Sequence, residues 1–179
     1  MIDYDYGNGH FHFACAPRVG VSWFVKACQL SGLGPAFSHD HEPHDGTYRI
    51  SLIRHPVQWL ESVYAAKTVG WNNRFLGEFV ALDIRQDLEA FVWQYLQEMP
   101  GEIGKLMLGF EADTILRIED MPTAFIEFAT GIGIDPIYFH NIQRMGRTNV
   151  NPLVVRMGKA LSKQVIDAEK ELCHEFGYY

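Results

Sequence analysis

Short apolar runs alternate with longer amphipathic stretches along this chain. The apolar runs are typical of strands and cover 10–16 (HFHFACA), 47–54 (TYRISLIR) and 113–118 (DTILRI). The amphipathic stretches have apolar residues at helical spacing and cover about 22–30, a segment that begins at Pro56, 83–99, 121–133 and 158–177. Strands that alternate with helices predict a single α/β domain, with three αβα layers around a mainly parallel central sheet.

Composition narrows the classes of function. The chain has 179 residues, of which 47% are hydrophobic, enough for one sizeable core. Its net charge of -7 argues against a broad surface for nucleic acid or for an anionic membrane, so an anion would need a local basic pocket. The three cysteines are widely spaced without a CxxC pair, which indicates reduced thiols. No apolar stretch has the length of a membrane span or of a signal core, and we expect a cytoplasmic protein.

The segment CAPRVGVSW, residues 15–23, forms the turn between the first predicted strand and the first predicted helix. A helix that begins beyond the carboxyl end of a strand offers free backbone N–H groups to an anion. A nucleotide-triphosphate loop would read GxxxxGK[ST], but Cys15 stands at the first Gly and Val21 at the Lys. ATP or GTP chemistry is therefore disfavoured, while Arg18 keeps a positive charge within the turn.

Four segments resemble motifs of the sulfotransferase family. Residues 17–23, PRVGVSW, are similar to its 5′-phosphosulfate loop, P-[KR]-[ST]-G-[ST]-[ST]-W. Residues 54–64, RHPVQWLESVY, are similar to its 3′-phosphate segment, R-[ND]-P-x-[DE]-x-x-x-S-x-Y, with the same spacing from Arg to Ser. Residues 116–121, LRIEDM, resemble R-Y-E-D-L, and TNVN at 148–151 with EFGY at 175–178 resembles the C-terminal part. The matches stand in the family's order and cover most of the chain.

The resemblance implies a P-loop nucleotide-binding-like fold of the sulfotransferase type and the cofactor 3′-phosphoadenosine-5′-phosphosulfate (PAPS). It implies transfer of the sulfuryl group to an acceptor hydroxyl or amine, with adenosine 3′,5′-bisphosphate (PAP) as product. Arg18 and the turn would surround the 5′-phosphosulfate, and Arg54 with Ser62 would bind the 3′-phosphate. The implied cofactor-binding residues are Arg18, Val19, Gly20, Val21, Ser22, Trp23, Arg54, Ser62, Arg144 and Arg147. Trp23 has a second possible role as a core aromatic, and Arg144 and Arg147 as ordinary surface residues.

The family commonly uses a His in a K-[ST]-H segment as general base, and Phe37-Ser38-His39 is the nearest match. His41 and then His44 are the next candidates, while Arg18 would act in catalysis by neutralising the leaving group. The same loop, HDHEPH at 39–44, is similar to the HxHxDH signature of metallo-hydrolases. Pro43 stands where that signature needs Asp, so a metal-dependent hydrolase is the weaker alternative and no metal is expected.

Two departures from the family pattern affect the site: Arg18 replaces the Lys of many members, and Ile118 replaces the Tyr of R-Y-E-D-L. Residues 65–110 match no acceptor type, so the acceptor is expected only as a small molecule or a carbohydrate. The chain is compact for the family, and a second subunit in a homodimer is one source for the rest of the acceptor site. A degenerate domain that binds a nucleotide without transfer remains the alternative from another class.

Overall fold

The computed structural model describes residues 2–6, 9–33, 35–38, 47–70, 79, 81–82, 87–146 and 153–179. The strands described are β1 Ile2–Tyr6, β2 Gly9–Phe13, β3 Pro35–Ser38, β4 Tyr48–Ile53 and β5 Thr114–Arg117. The α-helices described are α1 Val21–Leu30, α2 Pro56–Thr68, α3 Leu88–Glu98, α4 Glu102–Leu108, α5 Thr123–Gly131, α6 Phe139–Gln143, α7 Lys159–Ala168 and α8 Lys170–Phe176. Short 3₁₀ turns cover Ile118–Asp120 and Pro136–Tyr138.

Five described strands form one sheet in the order β3-β1-β2-β4-β5. β2 pairs with β4 and β4 with β5 in parallel, so the three predicted strands form the parallel part of the sheet. β1 pairs with both β2 and β3 in antiparallel fashion, and neither β1 nor β3 was predicted. The chain is therefore an α/β protein with a three-strand parallel sheet that two further strands extend.

Contacts divide the chain into two compact units, which are described separately. The first unit, Met1–Cys15, Val19–Ile53 and Phe110–Val150, contains the sheet with α1, α5 and α6. Its core is aromatic because Phe11 and Phe13, two residues apart, lie on one face of β2. Phe13 stacks on Phe24 of α1 with ring centroids 4.2 Å apart, and Phe125 of α5 meets Phe24 edge-on at 5.5 Å.

The second unit, Ala16–Arg18, Arg54–Gly109 and Asn151–Tyr179, is helical and contains α2, α3, α4, α7 and α8. Asp87 begins α3 by accepting a hydrogen bond from the backbone N–H of Ala90, as Asp does at a helix N-cap. Phe91, Val92 and Tyr95 on α3 are fully buried, which confirms that their spacing marks a core face.

Three predicted boundaries need correction. The strand predicted at 10–16 is β2, Gly9–Phe13, and beyond its end the Ala14 N–H still donates to the Ile50 carbonyl at 3.1 Å. The helix predicted at 83–99 is described from Leu88 to Glu98. The single helix predicted at 158–177 is two helices, α7 and α8, which are interrupted at Glu169.

Glu169 explains the interruption, because its buried carboxylate has partners elsewhere in the second unit. The carboxylate accepts the N–H of Gly104 at 2.7 Å and of Ile103 at 3.2 Å, both in the first turn of α4, and also accepts the Tyr95 hydroxyl. These bonds hold Glu169 at the N-terminus of α4, where the helix dipole favours a negative charge.

Within the described residues, no helix combines the length and apolar character that crossing a membrane requires.

Candidate anion-binding site

The first part of the PRVGVSW turn lies in the helical second unit, where two bonds to its backbone fix it. The indole Nε1 of Trp59 on α2 donates to the Pro17 carbonyl at 2.8 Å. The Arg54 Nη1 donates to the Arg18 carbonyl at 3.1 Å. Trp59 is fully buried, so its indole N–H needs a partner inside the protein, and the turn supplies it.

Arg18, Arg54 and Ser62 come together around this turn. Arg54 directly follows β4, as predicted, and Ser62 lies on α2. The Arg18 Nε donates to the Ser62 Oγ at 3.1 Å, although the two residues are 44 positions apart in the chain. Two guanidinium groups and a hydroxyl in one cluster offer several donors and two positive charges, which suits a phosphate or a sulfate.

Arg18 has an unusual backbone conformation. It is the one described residue other than glycine with a positive φ, at 69°. This left-handed conformation is unfavourable for a residue with a Cβ, and it persists where surrounding contacts impose it. Here the contacts are the hydrogen bonds from Trp59 to Pro17 and from Arg54 to Arg18, one on each of two successive carbonyls. These two contacts fix the Arg18 backbone, from which the side chain reaches Ser62.

The environment of Arg18 is also electrostatically costly. Burial lowers the pKa of the Arg18 guanidinium, since the charged form loses hydration. Arginine has so high an ordinary pKa that the group stays protonated at neutral pH. An anion bound at the cluster would relieve the cost of a half-buried cation.

His55 begins α2 between Arg54 and Pro56. Its Nδ1 accepts the Val57 N–H at 3.2 Å, so the neutral ring carries its proton on Nε2. The motif that this segment resembles has Asn or Asp at this position, and both also cap helices by accepting such a bond. The His55 ring lies 5.0 Å from that of Tyr178, measured between centroids, and Tyr178 is only 2% exposed. The imidazole thus replaces an oxygen acceptor as the cap.

The rest of the turn, residues 19–23, lies in the first unit and leads into α1. Gly20 precedes the helix with a φ of 103°, and its carbonyl accepts the N–H groups of Trp23 and Phe24. A Cβ built on Gly20 would lie 2.3 Å from the Cδ1 of Ile118. Glycine is required here both by its conformation and by the close approach of Ile118.

The remaining side chains of the turn differ in exposure. Val19 is fully buried, Val21 is half-buried and Ser22 is exposed. Trp23 is 7% exposed and meets the Phe125 ring edge-on at 5.9 Å, so it has the core role that the sequence offered as its second possibility. The exposed Ser22 and the N-terminal N–H groups of α1 remain the part of this segment that solvent or a ligand can reach.

Several predicted residues are not brought into the cluster. Arg144 is an exposed residue of the first unit at the end of α6. Arg147, His39, His41 and His44 lie outside the described residues, as do residues 148–151. Within the described part of the chain, no group of His, Cys, Asp or Glu side chains is arranged to hold a metal ion.

Sequence reasoning missed two residues of α2 that organise the cluster. Trp59 holds the turn through the Pro17 carbonyl, and its sequence signal is only that of an apolar helix position. Glu61 precedes Ser62 and is 6% exposed, although its position looks like that of a surface carboxylate. It accepts the Met157 N–H at 2.7 Å and the Arg156 Nη1 at 2.9 Å. The one sequence signal for Glu61 was its position directly before Ser62, a predicted phosphate ligand.

Two open cavities of the first unit lie elsewhere. One, of about 440 Å³, is lined by residues 47–49 and 111–113. The other, of about 810 Å³, lies along β5 and α5 and includes Leu116 and Phe128. Leu116 is the one described residue of the quoted motifs that lines either cavity, and Arg18, Arg54 and Ser62 line neither.

Comparisons of the chain with models of protein families, with curated proteins and with solved structures found no match.

Proposed function

We propose that this protein is a PAPS-dependent sulfotransferase with the three-layer, P-loop-like fold of that family. The observation that carries the proposal is the contact of Arg18 with Ser62 at 3.1 Å. Arg18 comes from the segment that resembles the 5′-phosphosulfate loop, and Ser62 from the segment that resembles the 3′-phosphate motif. The two motifs are distant in sequence, yet their residues meet in one cationic cluster. This is expected if residues of both motifs contact a single bisphosphate.

The donor set fits the phosphates of such a cofactor. In the proposal, Arg54 and Ser62 bind the 3′-phosphate, and Arg18 receives the 5′-phosphosulfate. The Arg18 Nε already bonds to Ser62, so a phosphate at the Ser62 hydroxyl would also meet the Arg18 guanidinium. Bound PAPS would supply an activated sulfuryl group. Transfer of this group to an acceptor hydroxyl or amine would release PAP as the product.

Each residue has a distinct task in this proposal. Arg18 stays protonated and offsets the negative charge that grows on the leaving phosphate, so its contribution is electrostatic. His39, with His41 as the next candidate, removes the acceptor proton. His55 is unsuited to that task, because its Nδ1 already accepts the Val57 N–H and its Nε2 carries the proton.

Thermal unfolding of the protein with PAP and with AMP tests the proposal. At about 100 times its dissociation constant PAP should add about 2.7 kcal/mol to the free energy of unfolding. For a chain of this length that is a rise in melting temperature of roughly 5–10 °C. AMP lacks the 3′-phosphate and should give a much smaller rise at the same concentration.

Variants of the cluster make the test specific. Arg54→Ala should weaken PAP binding roughly 10- to 100-fold, as expected for the loss of a charge-assisted hydrogen bond. Arg49→Ala is the matched control, because Arg49 lies on β4 and pairs with the exposed Glu111. Equal stabilisation by PAP and AMP, or equal losses in the two arginine variants, would remove the basis of the proposed 3′-phosphate site.

A further inference from the structure

Residues 153–158, the segment before α7, belong to neither a helix nor a strand and are called the strap here; they lie in the second unit. Most of its residues are exposed, and Val154 is 70% exposed, so burial of apolar surface contributes little to holding it. Two of its polar contacts end on Glu61 of α2. One carboxylate oxygen accepts the Met157 N–H at 2.7 Å, and the other accepts the Arg156 Nη1 at 2.9 Å. Glu61 thus clamps the strap to α2.

The clamp lies one residue before Ser62. The Glu61 side chain is 7% exposed, whereas the Arg156 side chain is 68% exposed. A buried carboxylate requires compensation, and here Arg156 supplies the opposite charge. Glu61 and Ser62 are successive residues, whose Cα atoms are about 3.8 Å apart, so the Glu61 charge lies on the order of 10 Å from an anion at the Ser62 hydroxyl.

We propose that Glu61 and Arg156 are a positioning pair of the phosphate site. Glu61 fixes the strap beside the Ser62 turn of α2, and Arg156 neutralises Glu61, so that an anion at Ser62 meets no uncompensated negative charge from this helix. This inference rests on the proposed function for the identity of the anion. The clamp itself follows from the contacts alone.

Removal of Arg156 alone should therefore weaken anion binding. Two unit charges about 10 Å apart in a medium of effective dielectric about 20 interact strongly enough to change a dissociation constant roughly 15-fold. Arg156→Gln should weaken the binding of PAP and of inorganic phosphate by about this factor. Lys105→Gln is the matched control, because it removes one positive charge from an exposed pair with Glu102 in the same unit.

The double variant Glu61→Gln/Arg156→Gln distinguishes neutralisation from direct binding. If Arg156 acts by neutralising Glu61, removal of both charges should restore the dissociation constant to within about threefold of the wild-type value. If the double variant binds as weakly as Arg156→Gln alone, Arg156 contacts the anion itself and the proposal is overturned. Unchanged binding in Arg156→Gln would overturn it as well.

Hydrogen exchange tests the clamp without any ligand. The Met157 amide should exchange slowly in the wild-type protein and rapidly in Glu61→Ala, while Glu61→Gln should retain much of the protection through its carbonyl oxygen. Equal exchange in all three proteins would overturn the clamp. Binding of inorganic phosphate without preference for PAP would overturn the proposed function but not this inference, since the double-variant cycle runs with phosphate. If neither PAP nor inorganic phosphate binds the wild-type protein, the proposed function and the positioning pair are both overturned.

Discussion

Replacement of Gly20 by alanine probes the turn that leads into α1. Gly20 has a φ of 103°, and a Cβ there would lie 2.3 Å from the Cδ1 and 2.7 Å from the Cγ1 of Ile118. The left-handed backbone costs an alanine about 1–2 kcal/mol. Overpacking against Ile118 costs about 1–3 kcal/mol. Alanine also lowers the conformational entropy of the unfolded chain, which offsets about 0.4–1 kcal/mol of this loss in stability.

We expect Gly20→Ala to lower the free energy of unfolding by about 2–4 kcal/mol, which corresponds to a fall in melting temperature of roughly 5–15 °C. Gly70→Ala isolates the backbone contribution, because Gly70 has a φ of 84° and no atom within 4 Å of the added Cβ. Gly70→Ala should therefore cost only about 1 kcal/mol.

Ile118→Ala on the Gly20→Ala background tests the collision directly. Removal of the Ile118 side chain beyond Cβ should recover about 1–3 kcal/mol of the loss, measured as a coupling energy in a double-mutant cycle by urea denaturation. If Gly20→Ala costs no more than Gly70→Ala, or if the two substitutions add without coupling, Ile118 does not occupy the space above Gly20.

Three further predictions concern catalysis and pH. Arg18→Ala should reduce turnover of PAPS more than binding of PAP, because Arg18 offsets charge that develops as the phosphate leaves; equal losses in kcat and in PAP affinity would contradict this. His39→Ala should lower turnover about 10²–10⁴-fold and leave PAP binding intact, whereas His41→Ala should do little, and the reverse order would identify His41 as the base. Burial raises the pKa of the Glu169 carboxyl above its ordinary value of 4.5, because the charged form loses hydration. The folded state therefore binds this proton more readily than the unfolded state does. The contribution of Glu169 to the free energy of unfolding falls as pH rises above 4.5. The stability of the wild-type protein relative to Glu169→Gln, from urea denaturation at several pH values, should therefore increase as pH falls towards 4.5, and a constant difference would contradict the buried-carboxyl account.

Local sequence signals predicted the parts of the fold that depend on neighbouring residues. Pro56 occupies the first turn of α2, and Gly177 ends α8 with a left-handed conformation at the predicted end of the last helical segment. The position of Arg54 after β4 followed from the apolar run before it. These features are set within a few residues, which is why they could be predicted from sequence.

Long-range hydrogen bonds determine what the sequence did not predict. The interruption between α7 and α8 depends on bonds from Glu169 to residues 65 and 66 positions away, and apolar periodicity continues across it. Trp59 meets Pro17 across 42 positions, and Glu61 meets Met157 across 96. No local pattern encodes such partners, because a buried polar group is satisfied by whatever the fold brings to it.

A crystal structure of the protein with bound PAP tests the central claim most directly. We predict that the 3′-phosphate lies within about 3.2 Å of the Arg54 guanidinium and of the Ser62 hydroxyl, a usual hydrogen-bond distance. The Arg18 guanidinium should contact a phosphate oxygen. A bisphosphate bound away from Arg18, Arg54 and Ser62, or bound there by its adenine with both phosphates in solvent, would contradict the proposed site.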